Sequence, residues 1–471
     1  MKKILSILLA AGLLYSCDIV DVLDHEPPHN MTPESAVKDE KSAELALVGV
    51  YGNLIGYNSY FVIGNPAFTS GILRKAEKKN PGGNNVYYTE RNLPLLKYGG
   101  AYDELWNSNM KVINSANLLI AALERMGDNA FSNGRKLAME GELRFLRAFC
   151  NFELLKMFGE YDQLNSRFGV ILRKKPATVN DVVLARSTVQ GTYDFILEDL
   201  EFAIKNAPDF QTATAASKMA AKAMKIKVFF YMGNYPDALT LANDFIGTGV
   251  RSLEPNYSDI FTNFNNKEMI FVRGFAGSSD TDGQLGGRNK AFDEGGWCAD
   301  TSFLNLSQND PRRDVILKAA SSPYLTSELT IKKAASTKGD MPIYFMRYSE
   351  IYMMKAECEA RVGGNALGTL NNMRAGHGLP LINSSSNILN TVYDEWLLEM
   401  GFENGHEWFA TWRMGTDKLL EMNWSVRKEY ESDIITDKEG YKESLKYKKI
   451  YPIPSSEITA NKLAEQNPGY N

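Results

Sequence analysis

The sequence predicts a mainly α protein, a scaffold of helix pairs carrying long loop insertions and a few short strands. Three observations predict it. First, Arg347–Gly376 reads as two helices around a glycine turn: Tyr348, Ile351, Tyr352, Ala356 and Ala360 recur at three- and four-residue spacing, and Ala366, Leu367, Leu370 and Met373 continue the stripe after Gly363-Gly364. Second, Ala216–Ile246 repeats the style without the sequence, with Met219, Ala220, Ala223, Ile226, Phe229 and Phe230 before the Gly233-Asn234-Tyr235 break. Third, long stretches between such pairs lose helical period and fill with Gly, Pro, Asn and Asp.

The local chemistry fits each break. Glycine tolerates a left-handed helix cap, so Gly363 and Gly364 stop the first helix of the 347–376 pair. Asn365 then caps the next, because its side chain can accept an orphan backbone N–H. Pro236 suits the first turn of its helix, where a missing N–H costs nothing. The helix–Gly–x–Tyr–helix pattern, with alanines at close-packing points, resembles a tetratricopeptide unit. The units are irregular and far apart, which predicts a helical-repeat scaffold with insertions and not a tandem array.

A chain of 471 residues with 44% hydrophobic and 23% charged residues can bury a large core. Its net charge of −5 gives no electrostatic reason to expect nucleic acid, which calls for a basic patch. At the N-terminus, Lys2-Lys3 is a positive region, Ile4–Leu14 is apolar, and Leu14-Tyr15-Ser16-Cys17 follows. This reads as a signal peptide over residues 1–16. The small residue before Cys17 resembles a bacterial lipoprotein box, which implies cleavage before Cys17 and its lipidation. Asp18, Asp21 and Asp24 resemble a surface-export signal of Bacteroidetes lipoproteins.

Residues 17–33 then read as an extended anchor arm, and 34–471 as one domain with variable loops at 56–100 and 247–342. The arm contains His25-Glu26-Pro27-Pro28-His29, a literal H-E-x-x-H, but two central prolines forbid the helix on which that zinc motif works. No metal and no cofactor are expected. Cys150, Cys298 and Cys358 have no framework spacing, and free cysteines on helices act as small apolar residues.

Beyond the arm, Thr32 caps a first helical turn and Leu45, Val48 and Tyr51 stripe the next helix. The 56–100 stretch has no period but many aromatics, among them Tyr87 and Tyr88, which argue against disorder. Helices follow at Tyr102–Arg125, Leu137–Phe158 and Ser187–Ala207, the last with Ser187 as cap. Glu268–Arg273 reads as a strand, Gly274–Gly296 as a loop ending at Trp297, and Asn387–Gly405 and Glu407–Leu420 as further ordered pieces. Trp106, Trp408 and Trp412 sit in patterned helices and read as core. Glu140, Glu142 and the acidic residues of Glu395–Glu407 read as solvated or ion-paired helix surface, since glycosidase chemistry needs two carboxylates set across a cleft.

Several segments together resemble the SusD/RagB surface lipoproteins of Bacteroidetes. They are Gly141–Phe149, Phe158-Gly159, Thr188–Ala203, Arg347–Gly363, Gly401–Gly415 and Ile450–Tyr470, the last with Tyr451-Pro452-Ile453-Pro454 and Gln466-Asn467-Pro468-Gly469-Tyr470. One departure is clear: the family's usual hydrophobic Val-Pro-Leu after the glycine is replaced by Glu160-Tyr161-Asp162-Gln163-Leu164. The resemblance implies a SusD-like, tetratricopeptide-like helical fold at the outer membrane, exposed at the cell surface. It implies a TonB-dependent SusC-like barrel as partner, a glycan or peptide nutrient as ligand, and no enzymatic activity. The alternative from the residues alone is a surface scaffold whose helix faces bind only protein.

Sugar capture needs flat aromatic faces with polar groups at their edges, carried on exposed loops. That selects Tyr87 and Tyr88 with Asn85 beside them, and Trp297 with Arg288. The bland reading is that each ring packs against its own loop.

Overall fold

The computed structural model describes residues 36–54, 72–75, 99–178, 183–263, 265–273, 297–320, 329–333, 343–415, 418 and 449–470. The elements before the first break in helical order are α1 (Glu40–Asn53), β1 (Leu73–Lys75), α2 (Gly99–Arg125), α3 (Arg135–Phe158), α4 (Val189–Asn206), α5 (Lys218–Tyr231) and α6 (Tyr235–Gly247). The intervening part holds α7 (Asp259–Thr262), β2 (Met269–Arg273), β3 (Trp297–Ala299), α8 (Thr301–Leu306), α9 (Arg313–Ile316), β4 (Leu317–Ala319), β5 (Leu329–Ile331) and β6 (Ile343–Arg347). The chain then forms α10 (Tyr348–Val362), α11 (Ala366–Gly376), α12 (Ile388–Met400), α13 (His406–Met414) and α14 (Ser455–Ala460).

Most predicted helices stand within two or three residues of their expected bounds. Asn365 caps α11 by accepting from the Gly368 amide, and Pro236 sits in the first turn of α6. The cap of α4 is Thr188, not Ser187: the Thr188 side chain accepts from the Gly191 amide. The last predicted helix stops at Met414, with Gly415 at φ 99° as its C-cap, short of the expected Leu420.

Successive helices pack on one another from α1 through α6. After the 248–342 part, α10 packs against α6, and α10 in turn carries α11 and α12. The two helix pairs that the sequence separates are therefore neighbours in space. Small residues let them close: Ala238 and Ala242 on α6 and Ala356 on α10 are fully buried. Gly141 on α3 plays the same part against the end of α4, where an added Cβ would lie 2.5 Å from the Ala207 backbone nitrogen.

The aromatic core lies between α3, β2 and β6, with Phe145, Phe149, Phe271 and Phe345 in mutual ring contact. The C-terminal tail packs back on the helices as expected. Asn467 donates to the carbonyls of Phe158 and Tyr451 at 2.9 and 2.6 Å and accepts from Arg186 at 2.6 Å. Cys150, Cys298 and Cys358 are buried.

Candidate functional site

A four-stranded sheet in the order β1-β3-β5-β4 organises the loop-rich part. Its pairing is antiparallel, with Leu73 opposite Ala299, Arg74 opposite Cys298 and Lys75 opposite Trp297. Cys298 then faces Thr330, and Leu317 faces Ile331. This register has a consequence for the loops. The 76–98 segment leaves from Lys75, and the 274–296 segment arrives at Trp297, its direct cross-strand partner. Directly opposed residues stand ~5 Å apart. The roots of the two aromatic-bearing stretches therefore adjoin, although about two hundred residues separate them in the chain.

Of the residues selected from the sequence, Trp297 is thus placed at the start of β3, in register with Lys75. Cys17, Asn85, Tyr87, Tyr88 and Arg288 lie outside the described residues, as does the 32–35 turn.

Beneath the sheet sits a buried ionic cluster that the sequence did not suggest. Arg347, at the end of β6, donates to Glu403 at 2.9 and 3.1 Å, to Glu399 at 2.7 Å, to Glu268 at 3.3 Å and to the Glu399 carbonyl at 2.6 Å. Arg312 binds Asp310, Glu395 and Glu399 at 2.8 to 2.9 Å, and Lys333, just past β5, pairs with Glu403 at 2.6 Å. Arg374 on α11 closes the group on Glu395 and Asp310. His377 bonds Ser349 and the Glu254 carbonyl.

Glu395 and Glu399 of α12 and Glu403 of the turn after it are therefore ion-paired, as expected, but they are buried and not surface-exposed. The reason is that the arginines reaching them come from the turn before α9, from β6 and from α11. Burial alone would raise the Glu399 carboxyl, yet Arg347, His377 and Arg312 hold it far below its ordinary range. Lys333 goes the other way, lowered because burial outweighs the attraction of Glu403. Glu142 on α3 is likewise buried and paired, with Arg135 at 2.8 Å and the Tyr51 hydroxyl at 2.8 Å, while Glu140 pairs with Arg144.

The turn that joins α12 to α13 is strained. Phe402 and Asn404 hold φ of 65° and 47°, a region that few non-glycine residues occupy. Glu407 on α13 accepts from the Phe402 amide, and burial pushes its carboxyl up to about 8. No group of three or more metal-ligating side chains occurs among the described residues, and no described helix is long and apolar enough to cross a membrane.

Trp106 and Trp408 are core residues as expected. Trp412 packs against that core as well, half-buried near the end of α13. Periodicity put it on the same stripe as Trp408, and the two rings meet edge to face at 5.4 Å.

Two family models match most of the chain between them. The SusD family matches residues 305–470, and the family described as starch-binding and associating with the outer membrane matches residues 23–230. Among curated relatives, the SusD-like protein P25 of Formosa agariphila is 24% identical over 320 residues, which is 65% of this chain and 57% of that protein. A SusD-like protein of Bacteroides ovatus is 22% identical over 58% of this chain and 50% of its own length. The chain thus matches between half and three fifths of these relatives.

Solved structures share the fold. A SusD superfamily protein from Bacteroides thetaiotaomicron has a TM-score of 0.69 at 20% identity, covering 91% of this chain and 99% of that one. A laminarin-binding SusD-like protein has a TM-score of 0.69 at 19% identity, covering 92% and 100%. The matched families, the relatives and the shared helical architecture agree, and the chain belongs to the SusD/RagB family.

Proposed function

We propose that this protein captures a glycan at the cell surface, without catalysing its breakdown, and passes it to a TonB-dependent SusC-like outer-membrane barrel. Lipidation at Cys17 would hold it at the outer membrane. One observation carries the reading: the sheet register joins the roots of the two stretches that bear Asn85, Tyr87 and Tyr88 on one side and Arg288 and Trp297 on the other. Stacking on a sugar chain needs more than one aromatic within a few sugar lengths, and adjoining roots make that possible for rings far apart in sequence. The family description of starch binding and the laminarin-binding relative of the same fold support a carbohydrate ligand. The ion pairs of the buried cluster support a binding role, since its Glu268, Glu395, Glu399 and Glu403 are each held by a cation.

The test is affinity electrophoresis of the mature chain in gels containing laminarin, amylopectin, xylan or galactan, beside Trp297→Ala and the Tyr87→Ala/Tyr88→Ala double variant. Retardation by one polysaccharide, weakened in both variants, is the expected result. Retardation by none of them, together with no binding in a peptide panel, would overturn the reading in favour of a protein-only scaffold. Metabolic labelling with palmitate, lost in Cys17→Ser, tests the anchor.

A further inference from the structure

The turn between α12 and α13 reaches both strands that root the 76–98 and 274–296 segments. An added Cβ on Gly401 would lie 3.5 Å from the side chain of Ile72, the residue before β1. The Ile72 carbonyl in turn accepts from the Asp300 amide, just past β3, at 2.9 Å. Phe402 meets Phe303 of α8 edge to face at 5.0 Å. Glu403 pairs with Lys333 past β5 and with Arg347 at the end of β6. The Asn404 side chain donates to the Tyr344 carbonyl on β6. Phe402, Asn404 and Gly405 all hold left-handed backbone, which the two non-glycine residues adopt only when their surroundings force it.

One side chain closes this turn on itself. Glu407, in the first turn of α13, accepts from the Phe402 amide through Oε2 at 3.2 Å, and its Oε1 has no hydrogen-bond partner. Glu395, Glu399 and Glu403 each hold a cation, but among the described residues no cation pairs with Glu407. The charged groups that face it are Lys333 and Glu403. Lys333 is already held by Glu403 and by the Glu399 carbonyl at 2.7 Å. Behind them Arg347 is bound by Glu403, Glu399 and Glu268. His406, beside Glu407 on α13, stacks on Trp396 and lies 3.7 Å from Glu350.

A buried carboxylate without a cation is costly, so this carboxyl keeps its proton up to about pH 8. Glu407 has no exposed surface, so it loses that proton only while the turn is open. Once ionised, it cannot close again without burying a bare charge.

We propose that the 401–405 turn is a proton-held latch on β1 and β3: shut while Glu407 carries its proton, released as Glu407 ionises, and weakening ligand capture when released. In the open turn the carboxyl titrates as an ordinary glutamate, near pH ~4.3. Between that value and about 8 the ratio of open to shut turns rises about tenfold per pH unit, roughly three orders of magnitude in all. A turn open about once in a thousand times in acid is then open roughly half the time at pH 8, and local openings of that frequency are ordinary. The effect on capture rests on the glycan reading above, because only the shut fraction is competent to bind.

The experiment is hydrogen exchange of the full mature chain from pH 5 to 7, resolved to single amides by mass spectrometry, on wild type and Glu407→Gln. The amides of Phe402 and Asp300 report the latch and the strands, and that of Phe149 in α3 reports global unfolding. Intrinsic exchange rises about tenfold per pH unit and the latch adds a second tenfold, so both wild-type reporters should gain about a hundredfold per unit. In Glu407→Gln, which keeps the shape and cannot ionise, both should gain only about tenfold per unit. Phe149 should exchange more slowly than either at every pH. Calorimetry with laminarin and amylopectin should show wild-type affinity about twofold lower at pH 8 than at pH 6, with the Gln variant unchanged.

A wild-type slope of only tenfold at Phe402, or exchange there no faster than at Phe149, overturns the latch. A steep slope at Phe402 without one at Asp300 overturns its hold on the strands. Equal wild-type affinity at pH 6 and 8 overturns its effect on capture. Binding of neither polysaccharide at any pH counts against the capture reading, while the exchange slopes still decide the latch.

Discussion

Arg347→Met is the sharpest perturbation of the buried ionic cluster. The substitution keeps most of the side-chain volume and removes the guanidinium. Arg347 has no exposed surface, and neither do Glu268 or Glu399. Its loss strips three carboxylates of their shared cation and leaves Lys333 and Arg312 to serve them. Removing one member of a buried ion pair costs ~3–5 kcal/mol, because the remaining charges stay buried without compensation. The partners here are several, but contributions within one network are not additive, so the expected loss is about 4 kcal/mol, close to a thousandfold in the folding equilibrium.

The assay is urea unfolding followed by tryptophan fluorescence at pH 7 and pH 5. The pH arm has a definite sign. In the wild type, Glu399 is held below its unfolded value, so its contribution is complete above pH ~4.3 and is lost only as pH falls further. In the variant, carboxylates without Arg347 take up protons more readily folded than unfolded. The variant therefore gains stability relative to wild type between pH 7 and pH 5, and the deficit shrinks. A loss under ~1 kcal/mol at pH 7, or a deficit equal at both pH values, would refute the reasoning.

Three further outcomes follow from single contacts. Glu407→Gln should stabilise the protein increasingly with pH: the wild-type carboxyl, pushed up to about 8 by burial, keeps in the folded state a proton that the unfolded chain releases above pH ~4.3. The contribution of Glu407 to wild-type stability therefore declines from pH ~4.3 to 8, and urea titrations should show a gap of about 1 kcal/mol at pH 5 that widens to roughly 4–5 kcal/mol at pH 8, at ~1.4 kcal/mol per unit. Gly141→Ala should cost ~1–3 kcal/mol by forcing α3 from the end of α4, where the new Cβ meets backbone at 2.5 Å; the same unfolding assay measures it. Asn467→Ala removes three hydrogen bonds that fix the tail, and hydrogen exchange should show the 449–470 amides opening sooner, with a loss of roughly 2–3 kcal/mol.

The helix pairs were legible because a 3.6-residue stripe, a cap and a glycine stop are all local signals. Asn365, Pro236 and Gly363 each act in the structure as their chemistry predicts. What periodicity does not carry is which pair meets which, so the contact of α6 with α10 was invisible. The same limit misplaced the acidic residues of α12. Glu395 and Glu399 are one turn apart and look like a solvated face; Arg312, Arg347 and Arg374, from three other elements, make that face an interior one. The link between the loops is a matter of register, and Lys75 opposite Trp297 has no trace in either local sequence.

These features fit together if rigidity and variability are assigned to different parts. A capture protein must hold its contact loops in place while their sequences change with the ligand. The cluster around Arg347 and Arg312 joins β6, the turn before α9, Lys333 just past β5, α11 and α12 through charged groups with fixed partners. A charge there cannot slide to a second arrangement without leaving another charge buried and alone, whereas apolar side chains can repack at modest cost. The cluster therefore pins the strands β4, β5 and β6 relative to the helices, and through the β5–β3–β1 pairing it fixes where the 76–98 and 274–296 segments are rooted. On this argument Arg347→Met, in addition to lowering stability, should weaken glycan binding at temperatures where the chain is still folded, with no ligand contact removed.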